Sequence, residues 1–342
     1  MPPPPRHPSD QTREFRKMAE MTALFGGCGP KWQARQVTVP EPGPKQILIR
    51  THAVSVNNAD VAMLTEEDTT DDQGGTCAAY EFAGEVAALG PGVDSFRVGD
   101  AVMGTAPYSF AEYVVADHRH LFPIPEGVSD KDAAALPTGL LTEHGALQLA
   151  RFEPGQTVLI TAASSNIGLI GLQIAKALGA GTVIATSRTA DKTDLLAQTG
   201  ADVVVATNTQ DLATAVFDAT SHKGVDIVLD HVGGQTLADS LVATTVDGHL
   251  VSIGRLSQDE TTISLRALAG RQLDLHGVSY GFTPPERTGR AVAAARELLP
   301  TVADGHVRPV IDRVYKFEDH EQAAVRVRNG TGTGKIVLTL RR

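Results

Sequence analysis

From Gln156 onward the chain follows one grammar, short β-rich runs separated by stretches of helix length. Thr157–Ala162 (TVLITA), Thr182–Thr186, Val203–Ala206, Val225–Asp230 and Leu250–Gly254 are the β-rich runs, and Ile167–Leu178 has apolar residues at helical spacing. Neighbouring parallel strands need a long crossover, usually a helix. This alternation therefore restricts the segment to a doubly wound parallel sheet, an α/β architecture. A last helix over Pro285–Leu299 leads into two short strands, Val310–Tyr315 and Lys335–Leu340.

The first part of the chain reads differently. Between Met21 and Pro125, short apolar runs (Gln46–Arg50, Glu81–Leu89, Ala101–Met103, Glu112–Val115) are cut by turns at Pro42-Gly43-Pro44, Gly90-Pro91-Gly92 and Val98-Gly99-Asp100. Strands without intervening helices predict a small barrel-like all-β domain. Ala133–Ala150 then reads as helix apart from Pro137 and Gly139. Residues 1–20 are Pro-rich and charged, which predicts a disordered leader, and they lack the apolar core of a secretion signal.

Composition narrows the function classes. Of 342 residues, 42% are hydrophobic, enough for two domains with cores. The formal net charge of −10 is a poor match to nucleic acid or an anionic membrane. Two cysteines, Cys28 and Cys77, exclude a disulfide scaffold and a four-thiolate zinc site. Apolar runs end well short of the roughly 18 residues of a membrane span. The expectation is a cytoplasmic enzyme acting on a small molecule, with neither nucleic acid nor membrane as partner.

The stretch Thr157–Gly171 (TVLITAASSNIGLIG) points to a cofactor. A hydrophobic strand enters a turn of small residues, and Gly168 and Gly171 lie in the first turns of the helix that follows. Such a turn offers free backbone N–H groups and the positive end of a helix dipole to a pyrophosphate, although the glycine fingerprint is degraded here to Gly168-x-x-Gly171. The second strand ends in Thr186-Ser187-Arg188, followed by Lys192. An acidic residue at this tip binds a ribose 2′-hydroxyl, whereas Arg accommodates a 2′-phosphate. Asp191 falls later, in the next helix, so Ser187, Arg188 and Lys192 favour NADPH over NADH. His231 directly follows the fourth strand and is either a cofactor contact or a turn residue.

Ordered blocks then give a resemblance. Val56-Asn57-Asn58-Ala59-Asp60, Tyr80-Glu81-Phe82-Ala83-Gly84-Glu85-Val86, Val98-Gly99-Asp100-Ala101-Val102 and Ala111-Glu112-Tyr113-Val114 come first. Leu136-Pro137-Thr138-Gly139-Leu140-Leu141-Thr142, the nucleotide turn and Gly334-Lys335-Ile336-Val337-Leu338 complete the series. In this order and spacing, residues 21–342 resemble the zinc-free, quinone oxidoreductase-like branch of the medium-chain dehydrogenase/reductase superfamily. The resemblance implies a GroES-like β-barrel catalytic domain (21–145, completed by 285–342) and a Rossmann NADPH-binding domain (146–284). It also implies a homodimer. By position, Ser164, Ser165, Asn166, Ile167 and Gly168 would cover the pyrophosphate. Val232, Gly233, Ile253, Gly254 and Arg255 would line the nicotinamide ribose, Thr142 would sit by the carboxamide, and Lys335 would face the cofactor.

Zinc-dependent members place Cys where Asn57 stands and His where Tyr80 stands, with a third thiolate in the stretch Ala133–Ala135. Asn, Tyr and Ala make a poor ligand set, so no metal is expected and Glu81 and Asp60 remain without the other ligands. Many relatives also carry a Tyr shortly after the Asn-x-x-Asp block. Here Ala62 follows, then an acidic stretch, Met63–Gly75. Asn57, Asp60, Tyr80 and His144 are the catalytic candidates, with Tyr108 a further polar group of the expected cleft. The expected reaction is hydride transfer from NADPH to a quinone, enone or enoyl-type C=C. The alternatives are a zinc-free alcohol or aldehyde oxidoreductase of a biosynthetic pathway, and a cofactor-binding protein with little activity.

Overall fold

Among the described residues, ten strands, two α-helices and two 3-10 turns build the first of two compact units, which comprises residues 1–124, 128–137 and 311–342. The computed structural model describes residues 20–26, 31–57, 60, 76–77, 79–280, 283–329 and 332–341. The expected leader before residue 20, Cys28 and the acidic stretch 63–75 lie outside them. The strands of the first unit are β1 (Glu20–Gly26), β2 (Gln33–Thr38), β3 (Gln46–Ser55), β4 (Thr76–Cys77) and β5 (Glu81–Leu89). They continue with β6 (Ala101–Thr105), β7 (Tyr113–Asp117) and β8 (Leu121–Pro123).

After the intervening unit, which holds β9 (Thr157–Ile160), β10 (Thr182–Ser187), β11 (Val203–Ala206), β12 (Val225–Asp230), β13 (Thr244–Ser252) and β14 (Asp274–Gly277), the chain returns as β15 (Ile311–Lys316) and β16 (Lys335–Thr339). In the first unit a main sheet runs β15-β16-β3-β5-β6-β8 with β7 also on β3, and a smaller sheet runs β2-β1-β4. Leu24, Trp32, Ile47, Ile49, Phe82 and Phe110 are among the residues that fill its core. The Trp32 and Phe110 rings meet edge to face at 5.0 Å, the arrangement ring quadrupoles favour.

The register of this sheet brings polar residues to one place. Ser55 ends β3 opposite Val337, and Val54 lies opposite Phe82. The end of β3, the start of β5 and the start of β16 therefore converge, delivering Ser55, Glu81 and Lys335 together.

In the second unit six parallel strands run β11-β10-β9-β12-β13-β14. In order of appearance that is 3-2-1-4-5-6, the order in which chain direction across the sheet reverses between the first and fourth strands. Leu159, Ile184, Val205, Val228 and Leu250 pack in its core. Ser165 caps the helix Asn166–Ala177 by accepting a hydrogen bond from the Gly168 N–H at 3.1 Å. A Cβ at Gly168 would come within 2.7 Å of the Ala163 backbone, so this close turn needs glycine.

The expected domain limits and the compact units differ at three segments. Residues 125–127, 138–145 and 285–310 cluster with the second unit. The helix Pro137–Leu149 is continuous, and its Gly139 lies against Ile170. Further along, Gln173 brackets the Arg308 backbone, donating to its carbonyl and accepting from its N–H. The Gly139–Ile170 packing and the Gln173–Arg308 hydrogen bonds tie the two longer segments to the parallel-sheet layer. Among the described residues no helix is long and apolar enough to cross a membrane.

Candidate active site

The convergence of β3, β5 and β16 gathers a buried polar cluster in the first unit. One oxygen of Glu81, Oε2, accepts three hydrogen bonds, from Ser55 Oγ at 2.7 Å, Asn57 Nδ2 at 3.0 Å and Lys335 Nζ at 2.7 Å. Lys335 Nζ also donates to Asn57 Oδ1 at 2.6 Å and reaches Ser55 Oγ at 3.5 Å. An ammonium has three N–H donors, and all three point into this cluster. That gives Lys335 partners other than the cofactor expected from the resemblance.

Asp60 is buried beside the same cluster and accepts the Asn57 N–H at 2.7 Å. Burial raises its pKa from 3.8 to about 7, against the opposing pull of the Asn57 N–H and the Lys335 charge. The Tyr80 ring, next to Glu81 in the chain, is 41% exposed and Tyr108 is 56% exposed. Asn57 and Asp60 are thus joined in one network, while Tyr80 presents its side chain outward.

In the second unit the cofactor candidates collect at the carboxyl ends of the parallel strands. Ser164 and Ser165 lie in the turn after β9, and Asn166 and Ile167 open the helix that leads to buried Gly168, all four half-buried. Ser187 closes β10 and is buried, while Arg188 next to it is exposed. Lys192 Nζ lies 3.9 Å from Asp191 Oδ2, and the Asp191 carboxyl is held below its ordinary range, first by the Thr189 hydroxyl and then by the Lys192 and Arg188 charges. Val232 and Gly233 follow β12, and Ile253, Gly254 and Arg255 follow β13. Gly233, with φ of 75°, starts the helix after β12.

Asp230 organises this edge. Its carboxylate accepts the Thr161 hydroxyl at 2.8 Å and the Val232 and Gly233 N–H groups at 3.3 and 2.9 Å. Thr161 directly follows β9 and Asp230 ends β12, the pair of strands that flanks the reversal, where open α/β sheets bind ligands. His231 is buried rather than open to a ligand: Nδ1 lies 2.9 Å from the Thr161 carbonyl and Nε2 lies 2.8 Å from Glu143 Oε1. Its pKa is pulled down by burial but raised overall by the Glu143 charge and hydrogen bond.

Thr142 and His144 stand two positions apart on one helix and so face different directions. His144 is buried and pairs with Glu297 at 2.7 Å within the second unit.

Two residues escaped the sequence reading. Glu143 is fully buried and its Oε2 has no hydrogen-bond partner. A Cβ at Gly171 would fall 2.3 Å from that oxygen, so the second glycine of the nucleotide helix makes room for this acid. Tyr280 lines a cavity of about 330 Å³ at the ends of β13 and β14, with Ile253, Arg255, Val278 and Arg287. Its hydroxyl rests on Gly145, where a Cβ would approach to 1.9 Å. Glycines inside helical stretches were the available signal, but they do not name their partners.

The comparisons agree with this architecture. Residues 43–126 match the alcohol dehydrogenase GroES-like domain family and residues 166–296 the zinc-binding dehydrogenase family. Quinone oxidoreductase-like protein 2 of Bos taurus is 28% identical over 329 residues, covering 92% of this chain and 94% of the relative. A mycocerosic acid synthase-like polyketide synthase of Mycobacterium tuberculosis is 33% identical over 305 residues, 87% of this chain and 14% of that protein. The structure of a mycobacterial quinone oxidoreductase superposes with a TM-score of 0.83 at 28% identity, covering 93% of this chain and 99% of that one. The chain belongs to the medium-chain dehydrogenase/reductase superfamily as a quinone oxidoreductase-like oxidoreductase, and membership brings a nicotinamide cofactor with it.

Proposed function

We propose that the protein is an NADPH-dependent, zinc-independent reductase that delivers hydride to a quinone, an enone or an enoyl-type C=C. The observation that carries this reading is the engagement of Asn57 Oδ1 and Glu81 Oε2 by the Lys335 ammonium at 2.6 and 2.7 Å. A zinc ion seeking those oxygens would meet an ammonium already bound to both. The rest of the cluster offers one hydroxyl, and neither thiolate nor imidazole is among its hydrogen-bonded members. The residues of this cluster do not fit a catalytic zinc.

A carbonyl reduced to an alcohol gains from a Lewis acid. A conjugated acceptor needs less, because its own electron-withdrawing group takes up the charge. The nicotinamide, when bound, supplies the hydride. The chain's part is to hold it and to offer a hydrogen-bond donor to the developing enolate. For binding, the Ser165-capped helix end and the close turn at Gly168 suit a pyrophosphate, and Arg188 with Ser187 and Lys192 suits a 2′-phosphate. For the donor, the exposed Tyr80 hydroxyl is the first candidate and Asn57 the second, with Asp60 holding Asn57 in place through its backbone. His144, committed to Glu297, is the least suited of the four candidates.

The proposal extends to a cytoplasmic homodimer acting on small molecules, and the net charge of −10 argues against nucleic acid. The test uses metal-stripped protein and follows loss of NADPH absorbance with quinone, enone and aldehyde panels, beside gain of NADPH absorbance from NADP⁺ with an alcohol panel. Turnover of quinones or enones without added metal supports the reading. Turnover only of alcohols or aldehydes, or only after zinc is restored, overturns it.

A further inference from the structure

On the face of the parallel sheet at its β14 edge, three side chains converge that the hydride chemistry does not use. β13 and β14 are parallel neighbours in a register that sets His249 opposite Asp274 and Val251 opposite His276. Asp274 and His276 are two positions apart on β14, so their side chains leave the same face, and register places His249 on that face too. His249 Nδ1 lies 3.4 Å from Asp274 Oδ2, and the two imidazoles stack at 6.2 Å with 22° between their planes. One nitrogen from each ring and one carboxylate oxygen all lie within 4.8 Å of one another.

The partners of these groups are incomplete. His249 Nδ1 and His276 Nε2 are both shut off from solvent, and neither has a hydrogen-bond partner. Two buried ring nitrogens without a hydrogen bond on one small patch, one of them holding only the 3.4 Å ion-pair contact with Asp274, run against the rule that buried polar atoms are satisfied. A cation seated between them would accept both lone pairs and the carboxylate at once. Ligand atoms around a tetrahedral zinc ion stand about 3.4 Å apart, which small side-chain rotations reach from the present spacing.

The geometry points to a surface metal site in which His249, Asp274 and His276 bind one divalent transition-metal ion. Two imidazoles with one carboxylate select zinc, cobalt, nickel or copper over magnesium or calcium, which prefer oxygen. Asp274 is 49% exposed, so the remaining coordination positions open to water. A bound ion would clip the four-residue edge strand β14 to β13, fixing an edge that otherwise presents unpaired backbone groups.

The test is calorimetric titration of untagged, EDTA-treated full-length protein with Zn²⁺, with Co²⁺ absorbance reporting the ligand set. One equivalent per chain is expected, with affinity at least tenfold weaker in His249→Ala, in His276→Ala and in Asp274→Asn. An exposed-histidine control, His306→Ala, should bind as the parent does. Circular dichroism checks that each variant folds, and His276→Asn replaces any alanine variant that does not. No stoichiometric binding, undiminished binding in the folded variants, or equal affinity for Mg²⁺ overturns the site and leaves a simple His249–Asp274 ion pair.

Discussion

Lys335 and Glu81 meet at 2.7 Å with both side chains shut away from water. Charges this deep are costly to desolvate, and removing one partner leaves the other uncompensated. Lys335→Met is therefore expected to lower unfolding stability by about 3–5 kcal/mol, the range for broken buried pairs. Glu81→Gln combined with Lys335→Met should recover much of that loss. Denaturant unfolding of the parent, both single variants and the double variant checks this, and additive losses would show that the two charges do not depend on each other.

Asp60 sets a pH dependence of the opposite sign to that of most carboxylates. Burial, the largest influence, raises its pKa to about 7 from 3.8. The folded state therefore keeps a proton that the unfolded chain has already released. The folded state is favoured most below the unfolded value. Stability falls as pH climbs from about 4 to about 7, by up to about 4 kcal/mol from this group. Asp60→Asn keeps an oxygen acceptor for the Asn57 N–H and removes the titration. Thermal unfolding between pH 4 and 8 should show a flatter profile in this variant, and an unchanged slope would reassign the proton to another group.

Arg188 stands exposed directly after Ser187 at the tip of β10, with Lys192 in the next turn. A guanidinium matched to a 2′-phosphate contributes about 1.5–3 kcal/mol through charge-assisted hydrogen bonds. Arg188→Ala is thus expected to weaken NADPH binding roughly 10- to 100-fold while changing NADH little. Fluorescence titration with both cofactors measures the split, and equal losses would remove the 2′-phosphate from this residue.

Much of the second unit was legible because its strands are buried on both faces. Val203–Ala206 and Val225–Asp230 run where their apolar residues place them. β14 was not legible, since Asp274-Leu275-His276-Gly277 holds a single apolar side chain and is fixed by backbone pairing to β13. β13 begins at Thr244, six residues before the apolar run at Leu250, for the same reason. β1 and β2 likewise pair through backbone register rather than a clear apolar alternation in β2. At the site, Asn57, Asp60 and Lys335 were singled out by the blocks they sit in. The meeting of Asn57 and Lys335 at Glu81 depends on three strands distant in sequence, which no local pattern reports. Glu143 stayed hidden because a polar residue between Thr142 and His144 looks like a solvated helix face, whereas the space left by Gly171 takes it inside.

That buried acid controls His231. The Thr161 carbonyl can only accept, so Nδ1 carries a hydrogen and Nε2 faces Glu143 Oε1 at 2.8 Å. Burial, the largest single influence, depresses the imidazole, but the Glu143 charge and hydrogen bond, with the Thr161 carbonyl and the Asp230 charge, together outweigh it and the pKa is raised from 6.5. A base raised on folding stabilises fully below its unfolded value, and the gain is lost as pH rises through the higher folded value. The parent should therefore lose stability on passing from pH 6 to alkaline conditions, and Glu143→Gln should lose less over the same interval. Nitrogen-15 spectra of the histidine rings give a direct reading, with His231 titrating above 6.5 in the parent and lower in Glu143→Gln, where only the Thr161 carbonyl and the Asp230 charge still oppose burial. Since Thr161 and Asp230 share the same hydrogen-bonded edge, cofactor affinity should shift in that variant too. An unmoved His231 titration would mean that the pair is held by packing and not by charge.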